Sequence, residues 1–176
     1  MSQWLLDKIK PIFSPRFLKF CTVGLTGVVV NLGFLAIFAD LLDLHVNLAS
    51  ALAIEISILS NFFINELWTF RDRRDGSGTW WSRGLQFHVV SILGGIMQWS
   101  VFVTVNMFWM LLLYSPEHVS EYFSHGESFV DRFFVYPIVS PPEVGALKYI
   151  SQLFGIGVAT FWNFLMNFHW TWRETK

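Results

Sequence analysis

Asn61-Phe-Phe-Ile-Asn-Glu-Leu-Trp-Thr-Phe-Arg71 ends a long apolar run, and its pattern returns near the C-terminus as Asn163-Phe-Leu-Met-Asn-Phe-His-Trp-Thr-Trp-Arg173. Asn, Phe, Asn, Trp, Thr and Arg occupy the same six places in both copies. In a helix, the two asparagines and the first tryptophan of each copy are spaced i, i+4 and i+7 and share one face. Amides on an apolar helix are costly unless they find partners or line a wet cavity. The repeat therefore indicates two apolar helices with a functional polar face.

The composition around this repeat is that of an integral membrane protein. Of the 176 residues, 53% are hydrophobic and only 14% are charged, whereas soluble domains carry about 25% charged residues. The single cysteine, Cys21, excludes an internal disulfide framework. The histidines have no spacing that suits zinc or haem, and His118 and His125 are interpreted as solvated loop residues.

Four apolar runs are each long enough to cross a bilayer, which takes about 20 helical residues. They cover about residues 17–39, 47–70, 85–114 and 145–170, and an acidic loop at 115–143 separates the last two. The predicted fold is therefore an all-α membrane protein, with a four-helix domain at 16–176. Residues 1–15 mix apolar and basic side chains, as in an interfacial helix, and no removable signal peptide is expected. Phe129, Val130, Phe133 and Phe134 of the loop are spaced to form one apolar face at the membrane surface.

The cations predict the orientation, because basic residues concentrate on the cytoplasmic side of membrane proteins. In a four-span topology only Arg132 and Lys148 fall on the outer side. Both termini and the middle loop are therefore predicted to be cytoplasmic, in a multi-pass protein of the cell (inner) membrane. The cytoplasmic set is Lys8, Lys10, Arg16, Lys19, Arg71, Arg73, Arg74, Arg83, Arg173 and Lys176.

The start of each helix pair is also duplicated. Arg16-Phe-Leu-Lys-Phe20 opens the first span, and Arg83-Gly-Leu-Gln-Phe87 opens the third. Because each unit holds two spans, the two units share one orientation, as in a parallel repeat about an axis along the membrane normal.

Polar residues recur at helical spacing inside all four spans. The glycines of these stripes, such as Gly24 and Gly27, suit close helix packing. For the amides two interpretations stay open, which are hydrogen bonds between helices and a cavity for a polar cargo. For Glu55 three interpretations stay open. It could have a functional role, donate a hydrogen bond to a neighbouring helix while protonated, or pair with Lys148. The candidate cavity-lining residues are Asn31, Glu55, Asn61, Asn65, Gln98, Asn163 and Asn167.

Basic and aromatic residues meet at the predicted cytoplasmic interface. Arginine at the repeated positions favours a phosphate ligand, because guanidinium binds phosphate through two parallel hydrogen bonds. Topology alone would place cations there too, and tryptophans commonly anchor membrane interfaces. The candidate headgroup-binding residues are Arg16, Lys19, Arg71, Arg83 and Arg173, and the candidate interface aromatics are Trp68, Trp170 and Trp172.

The sequence has no Gly-rich phosphate loop, nucleophile elbow, paired carboxylates or His-x-x-x-His metal pair. We therefore expect no enzymatic activity, cofactor, metal or nucleic-acid partner.

The motifs resemble the GtrA-like family of four-span membrane proteins. Arg16, Phe17, Phe20, Val23 and Gly24 match its cytoplasmic entry, followed by the Asn-Phe-x-x-Asn-x-x-Trp-Thr-Phe element at 61–70 and its recurrence in the fourth span. The resemblance covers about 16–173, apart from the long loop. The run Ala53-Ile-Glu-Ile-Ser57 is similar to the subgroup found beside or fused to polyprenyl-phosphate glycosyltransferases of the dolichol-phosphate-mannose-synthase kind.

The resemblance implies a role with polyprenyl-phosphate-linked sugars in cell-surface polysaccharide or glycan synthesis. It implies motif residues at Asn61, Asn65, Trp68, Arg71, Asn163, Asn167, Trp170 and Arg173. Family members often carry a basic residue before the tryptophan of the second span, where this chain has Glu66-Leu67.

Three hypotheses follow. The first is a flippase for a polyprenyl-phosphate monosaccharide, acting as a homo-oligomer because four helices leave little room for a sugar. The second is a non-transporting anchor or regulatory partner of a glycosyltransferase. The third is a small ion or proton channel around Glu55.

Overall fold

The computed structural model describes residues 10–44 and 46–173, and within these ranges the chain is helical with no strand. The predicted all-α class is therefore confirmed. Most of the predicted interfacial segment 1–15 lies outside the described residues. The helices are α1 (Pro15–Ala36), α2 (Val46–Ile64), α3 (Trp80–Leu113), α4 (Pro116–Ser124), α5 (Tyr136–Val139) and α6 (Leu147–Met166).

The long helices α1, α2, α3 and α6 coincide with the four apolar runs of the sequence. By length and apolar composition, two segments of the described chain qualify as membrane spans, Pro15–Phe34 and Trp80–Leu113. Helix α3 has 34 residues, or about 51 Å at 1.5 Å per residue, which exceeds the thickness of a bilayer core.

The duplicated sequence has a duplicated backbone. Helices α2 and α6 each pass into one wider turn with i→i+5 hydrogen bonds, at Asn65–Thr69 and Asn167–Thr171. The N–H of Phe70 donates to the carbonyl of Asn65, and the N–H of Trp172 donates to that of Asn167, both at 2.8 Å. Such π-turns are rare and often lie at functional sites.

The chain divides into two compact units. The first comprises residues 1–92 and 160–176, and the second comprises residues 93–159.

An aromatic cluster forms the core of the first unit. The rings of Phe70 and Trp172, which occupy equivalent places in the two repeats, stack face to face with centroids 4.3 Å apart and planes 6° apart. Stacked and edge-to-face rings stabilise beyond the area they bury. The buried cluster consists of Phe20, Phe62, Phe70, Phe87, Phe164 and Trp172.

This cluster follows the internal repeat. Phe20 of the first entry motif packs edge-on against Phe164, with centroids 5.5 Å apart. At the equivalent positions of the other repeat, Phe87 packs against Phe62 at 5.7 Å. The first helix of each repeat thus contacts the second helix of the other, and the two halves interlock.

A close approach of α1 and α2 depends on Gly27. A Cβ atom there would overlap the side-chain amide of Asn61. The Gly27 carbonyl also accepts a hydrogen bond from the hydroxyl of Ser57 at 2.7 Å. By contrast, Gly24 has open space at its Cβ position. Gly27 is therefore the packing glycine of this stripe.

In the second unit, the predicted acidic loop packs against α3. Trp99 Nε1–H donates to the carbonyl of Ile138 at 3.1 Å, and the hydroxyl of Tyr122 donates to that of Ser140 at 2.7 Å. Burial, with Tyr136 as a second cause, raises the pKa of Tyr122 to about 12. Its hydroxyl therefore remains a donor at neutral pH.

Candidate functional site

A groove of about 420 Å³ opens between the start of α1 and the π-turn that follows α2. Two of its side chains, Arg16 and Lys19, are cations that the sequence predicted to bind a headgroup. Its lining residues are Pro11, Ser14, Pro15, Arg16, Lys19, Trp68, Thr69, Asp72 and Phe168. We call this the basic groove.

Arg16 is held between aromatic rings and one carboxylate. Its Cζ lies 5.7 Å from the ring centroid of Phe168 and 5.9 Å from that of Phe70. Its Nη2 donates to Oδ2 of Asp72. Since the Asp72 side chain is 61% exposed, this ion pair is of the weak surface kind, worth about 0–1 kcal/mol. An anionic ligand can therefore displace Asp72 at small cost.

Lys19 and Trp68 form the second part of the groove. The Nζ of Lys19 lies 5.4 Å from the Trp68 ring centroid, within cation–π range. Trp68 is 45% exposed. A cation held over a partly exposed indole can serve a ligand that has both a charged and an apolar part.

Thr69 is a groove residue that was not among the predicted site residues. It is 3% exposed, and its hydroxyl has no hydrogen-bond partner within the described chain. In the other repeat, the hydroxyl of Thr171 donates to Oδ1 of Asn167 at 2.7 Å. The matching oxygen of Asn65 is also without a partner. The signal in the sequence was the threonine shared by the two repeats, but only the structure shows that one copy closes this bond and the other does not.

Arg83 does not fit its predicted role as a headgroup ligand. Its Nε donates to Oε2 of Glu66 at 3.0 Å, and its Nη2 donates to Oε1. Its Nη1 donates to the carbonyls of Arg74 and Gly78. Because Arg83 is only 6% exposed, its guanidinium is committed to the protein and presents no free face to a phosphate.

The two arginines differ because the repeats differ at one place. Arg16 and Arg83 begin equivalent entry motifs, and position 66 of one repeat corresponds to position 168 of the other. Arg83 meets the carboxylate of Glu66, whereas Arg16 lies over the ring of Phe168. Glu66, which stands where the other repeat has Phe168, therefore neutralises one arginine and leaves the other as the basic centre.

Trp172 was predicted to lie at the interface, but the structure places it in the core. It is fully buried, and its Nε1–H donates to Oε2 of Glu66 at 2.8 Å. A buried indole needs such a partner, and that explains the position. Trp170 is 37% exposed.

Two further predicted cations lie outside the basic groove. Arg71 and Arg173 are both exposed and are not part of its lining.

The predicted cavity-lining amides do not border the basic groove. Asn65 and Asn167 are buried, and Asn167 Nδ2–H donates to the carbonyl of Asn163 in its own helix at 2.8 Å. Asn61 packs on Gly27, and its Oδ1 has no partner within the described chain, as is also true of Oδ1 of Asn163. Their role towards sugar hydroxyls stays a prediction.

Two more residues were predicted to line the cavity, Asn31 and Gln98. Asn31 is partly exposed on α1. Gln98, in the second unit, packs so closely on Gly155 of α6 that a Cβ there would lie 2.6 Å from the Gln98 carbonyl oxygen. That contact supports helix packing at Gln98.

Glu55 faces a histidine that the sequence did not single out. Its Oε2 lies 3.5 Å from Nε2 of His88 on α3. Both side chains are partly exposed, and both border a second groove between α2 and α3.

Comparison with known proteins agrees with the sequence resemblance. The family model of the GtrA/DPMS transmembrane domain matches residues 19–172. A dolichol-phosphate mannosyltransferase of Pyrococcus furiosus is 42% identical over 97 residues, which are 55% of this chain. The match covers 25% of that protein, so the chain corresponds to a small part of it. On the match over residues 19–172, the chain belongs to the GtrA/DPMS transmembrane-domain family.

Proposed function

We propose that this protein binds a polyprenyl-phosphate-linked monosaccharide and translocates it across the membrane for cell-surface glycan synthesis. The observation that carries the proposal is the basic groove, where Arg16 and Lys19 lie beside a buried hydroxyl without a partner and two aromatic side chains. Family membership supports the lipid-linked sugar as the class of ligand.

The groove suits a phosphate with an apolar tail. The guanidinium of Arg16 can donate two parallel hydrogen bonds to two oxygens of a phosphate once Asp72 moves away. Lys19 adds a point charge, and the hydroxyl of Thr69 can donate a third bond. Trp68 and Phe168 offer apolar surface to the first part of the chain.

The proposal includes a topology. Helices α1, α2, α3 and α6 cross the cell membrane, and both termini and the basic groove lie on the cytoplasmic side, in keeping with the distribution of cations. Transport runs down the gradient of the lipid or on an ion gradient. A homo-oligomer supplies room for the sugar. The protein carries out no catalysis itself.

The test uses purified protein in liposomes with polyprenyl-phosphate mannose. Binding is measured directly, and translocation is followed by the access of a membrane-impermeant oxidant to the sugar. For the double variant Arg16→Gln/Lys19→Gln we expect at least about a tenfold loss of binding, since a hydrogen bond to a charged group contributes about 1.5–3 kcal/mol. Lys148→Gln, an exposed cation of the second unit, is the control. Unchanged binding and translocation in the double variant would refute the proposal.

A second function is a membrane anchor or regulator for a glycosyltransferase. It is favoured by the relative from Pyrococcus furiosus, which bears a mannosyltransferase name and is about four times as long as the matched region. Under this alternative, the basic groove binds the lipid but the protein does not move it. Translocation no faster than in protein-free liposomes, together with recovery of transferase activity on adding this chain, would favour the anchor.

A further inference from the structure

A second groove, of about 330 Å³, lies between α2 and the first part of α3. Its volume falls in the usual range for small-molecule sites, which combine apolar walls with a few polar groups. Its lining residues are Glu55, Ile58, Leu59, Phe62, Phe63, Trp80, Trp81, Gly84, Leu85, Phe87 and His88. We call this the aromatic groove.

The walls of this groove are aromatic. Trp80 packs edge-on against Trp81 and Phe62, with centroids 4.6 and 5.5 Å apart, and lies 5.7 Å from Phe63. Trp81 is 78% exposed, and Trp80 is 37% exposed. Their ring faces are negatively polarised and attract positively polarised C–H groups.

The polar groups of the lining lie together. Glu55 and His88 are its titratable side chains, with 3.5 Å between Oε2 and Nε2, and the side chain of Glu55 is 48% exposed. His88 is eight residues beyond Trp80, or about 12 Å along α3. The pair therefore lies well inside the span, where a half-exposed carboxylate beside hydrocarbon would be costly.

We propose that the aromatic groove is a binding site for the sugar of the lipid-linked substrate. The C–H face of a hexose stacks on one of the rings of Trp80 and Trp81, which are 79° apart, and its edge lies beside the other. Its hydroxyls donate to the carboxylate of Glu55 and hydrogen-bond with His88. A lipid chain would fill the apolar walls but give Glu55 and His88 no hydrogen-bond partner beyond each other. A hexose can contact the aromatic walls through its C–H groups and hydrogen-bond with the polar pair through its hydroxyls.

This inference rests on the proposed function, because it names where the sugar of that substrate binds inside the membrane. The basic groove and the aromatic groove have no lining residue in common. Because the sugar is joined directly to the phosphate, the ligand occupies the two grooves in turn as it crosses the membrane. A loss of phosphate binding in the basic groove and a loss of sugar binding in the aromatic groove can therefore be measured separately.

The probe is polyprenyl-phosphate mannose with a photoreactive diazirine on the sugar, in liposomes with the full chain. After irradiation, labelled peptides are identified by mass spectrometry. We expect labelling of the stretch from Trp80 to His88. For Glu55→Leu we expect about a tenfold loss, as for one hydrogen bond to a charged acceptor. Glu55→Gln, which keeps an acceptor, loses less.

A matched pair of glycine variants on α3 tests the shape of the groove. A Cβ on Gly84 would make an ordinary 3.5 Å contact with Phe62, so Gly84→Leu extends into the groove without displacing backbone. Gly95 of the same helix has open space around its Cβ position. We expect Gly84→Leu to abolish labelling and Gly95→Leu to keep it.

Two results would overturn the sugar site. One is labelling only outside the aromatic groove, and the other is equal labelling in wild type, Glu55→Leu and Gly84→Leu. Sugar-free polyprenyl phosphate is measured in parallel. If it binds and depends on Arg16 and Lys19 while groove labelling is absent, the sugar site fails and the proposed function stands. If it does not bind, the proposed function fails.

Discussion

The indole Nε1–H of Trp172 donates to Oε2 of Glu66 at 2.8 Å, across 106 residues of sequence. The same carboxylate receives the guanidinium of Arg83, and all three side chains are at least nine-tenths buried. The residue after the C-terminal π-turn, the π-turn that follows α2 and the start of α3 are therefore joined at one carboxylate. Arg73 strengthens the junction, because its Nη1 donates to the carbonyls of Phe168 and Trp172 at 3.0 and 3.3 Å.

Glu66→Gln tests this junction. It leaves the buried guanidinium of Arg83 without a countercharge, and breaking a buried pair costs about 3–5 kcal/mol. We expect a clear fall in the melting temperature in detergent. Asp75→Asn, an exposed acid of the adjoining turn, should change the melting temperature little. Equal melting temperatures for Glu66→Gln and Asp75→Asn would contradict a stabilising role for Glu66.

The double variant Glu66→Leu/Arg83→Leu separates charge pairing from packing. Replacing both partners with apolar residues removes the burial of charge, and such changes are often neutral or stabilising. We expect the double variant to melt above Glu66→Gln. If it melts below the single variant, the hydrogen bonds from Arg83 to the carbonyls of Arg74 and Gly78 are the dominant contribution.

Asp72→Asn should tighten the binding of polyprenyl phosphate. The Asp72 carboxylate pairs with Arg16 inside the basic groove and competes with an anionic ligand. Since such a surface pair is worth about 0–1 kcal/mol, we expect up to about a fivefold lower Kd and little change in melting. Asp75→Asn is the matched control, measured by the same binding titration. A higher Kd in Asp72→Asn would mean that Asp72 contacts the ligand.

Thr69→Val should change ligand binding but not stability, and Thr171→Val should change stability but not ligand binding. The hydroxyl of Thr69 has no partner within the described chain, so its removal should leave melting unchanged and weaken phosphate binding about tenfold. The hydroxyl of Thr171 bonds to Asn167, so its loss should cost about 1 kcal/mol of stability and leave the Kd unchanged. Both variants need a melting curve and a binding titration. Destabilisation by Thr69→Val would assign Thr69 to the fold instead.

Gly27→Ala and Gly24→Ala test the packing of α1 on α2. A Cβ on Gly27 overlaps the Asn61 amide, whereas Gly24 faces open space. Overpacking costs about 1–3 kcal/mol, so we expect only Gly27→Ala to lower the melting temperature. Similar melting of the two variants would show that the side chain of Asn61 moves aside freely.

The sequence predicted the helical class, the approximate bounds of the four long helices and the repeat. It also singled out Arg16 and Lys19, which belong to the entry motif of the first span and line the basic groove; their binding of a headgroup stays a prediction. It misplaced Trp172 and Arg83. An interface tryptophan and a core tryptophan have the same neighbours in sequence, and the partner of Arg83 is on another helix. His88 was missed because a single histidine in an apolar run has no spacing to identify it.

The sequence carries local signals, which are the length of the apolar runs, the helical periodicity and the two matching motifs. Helices form through hydrogen bonds between residues close in sequence, so these signals are enough to predict them. The two matching motifs end in equivalent π-turns. The sequence by itself therefore determined the class, the duplication and the candidate residues. Only the tertiary structure decided which arginine is neutralised, which threonine hydroxyl stays open and which tryptophan is buried. Those outcomes depend on which side chains from distant segments meet when the helices pack, and a symmetric pattern in sequence does not specify them.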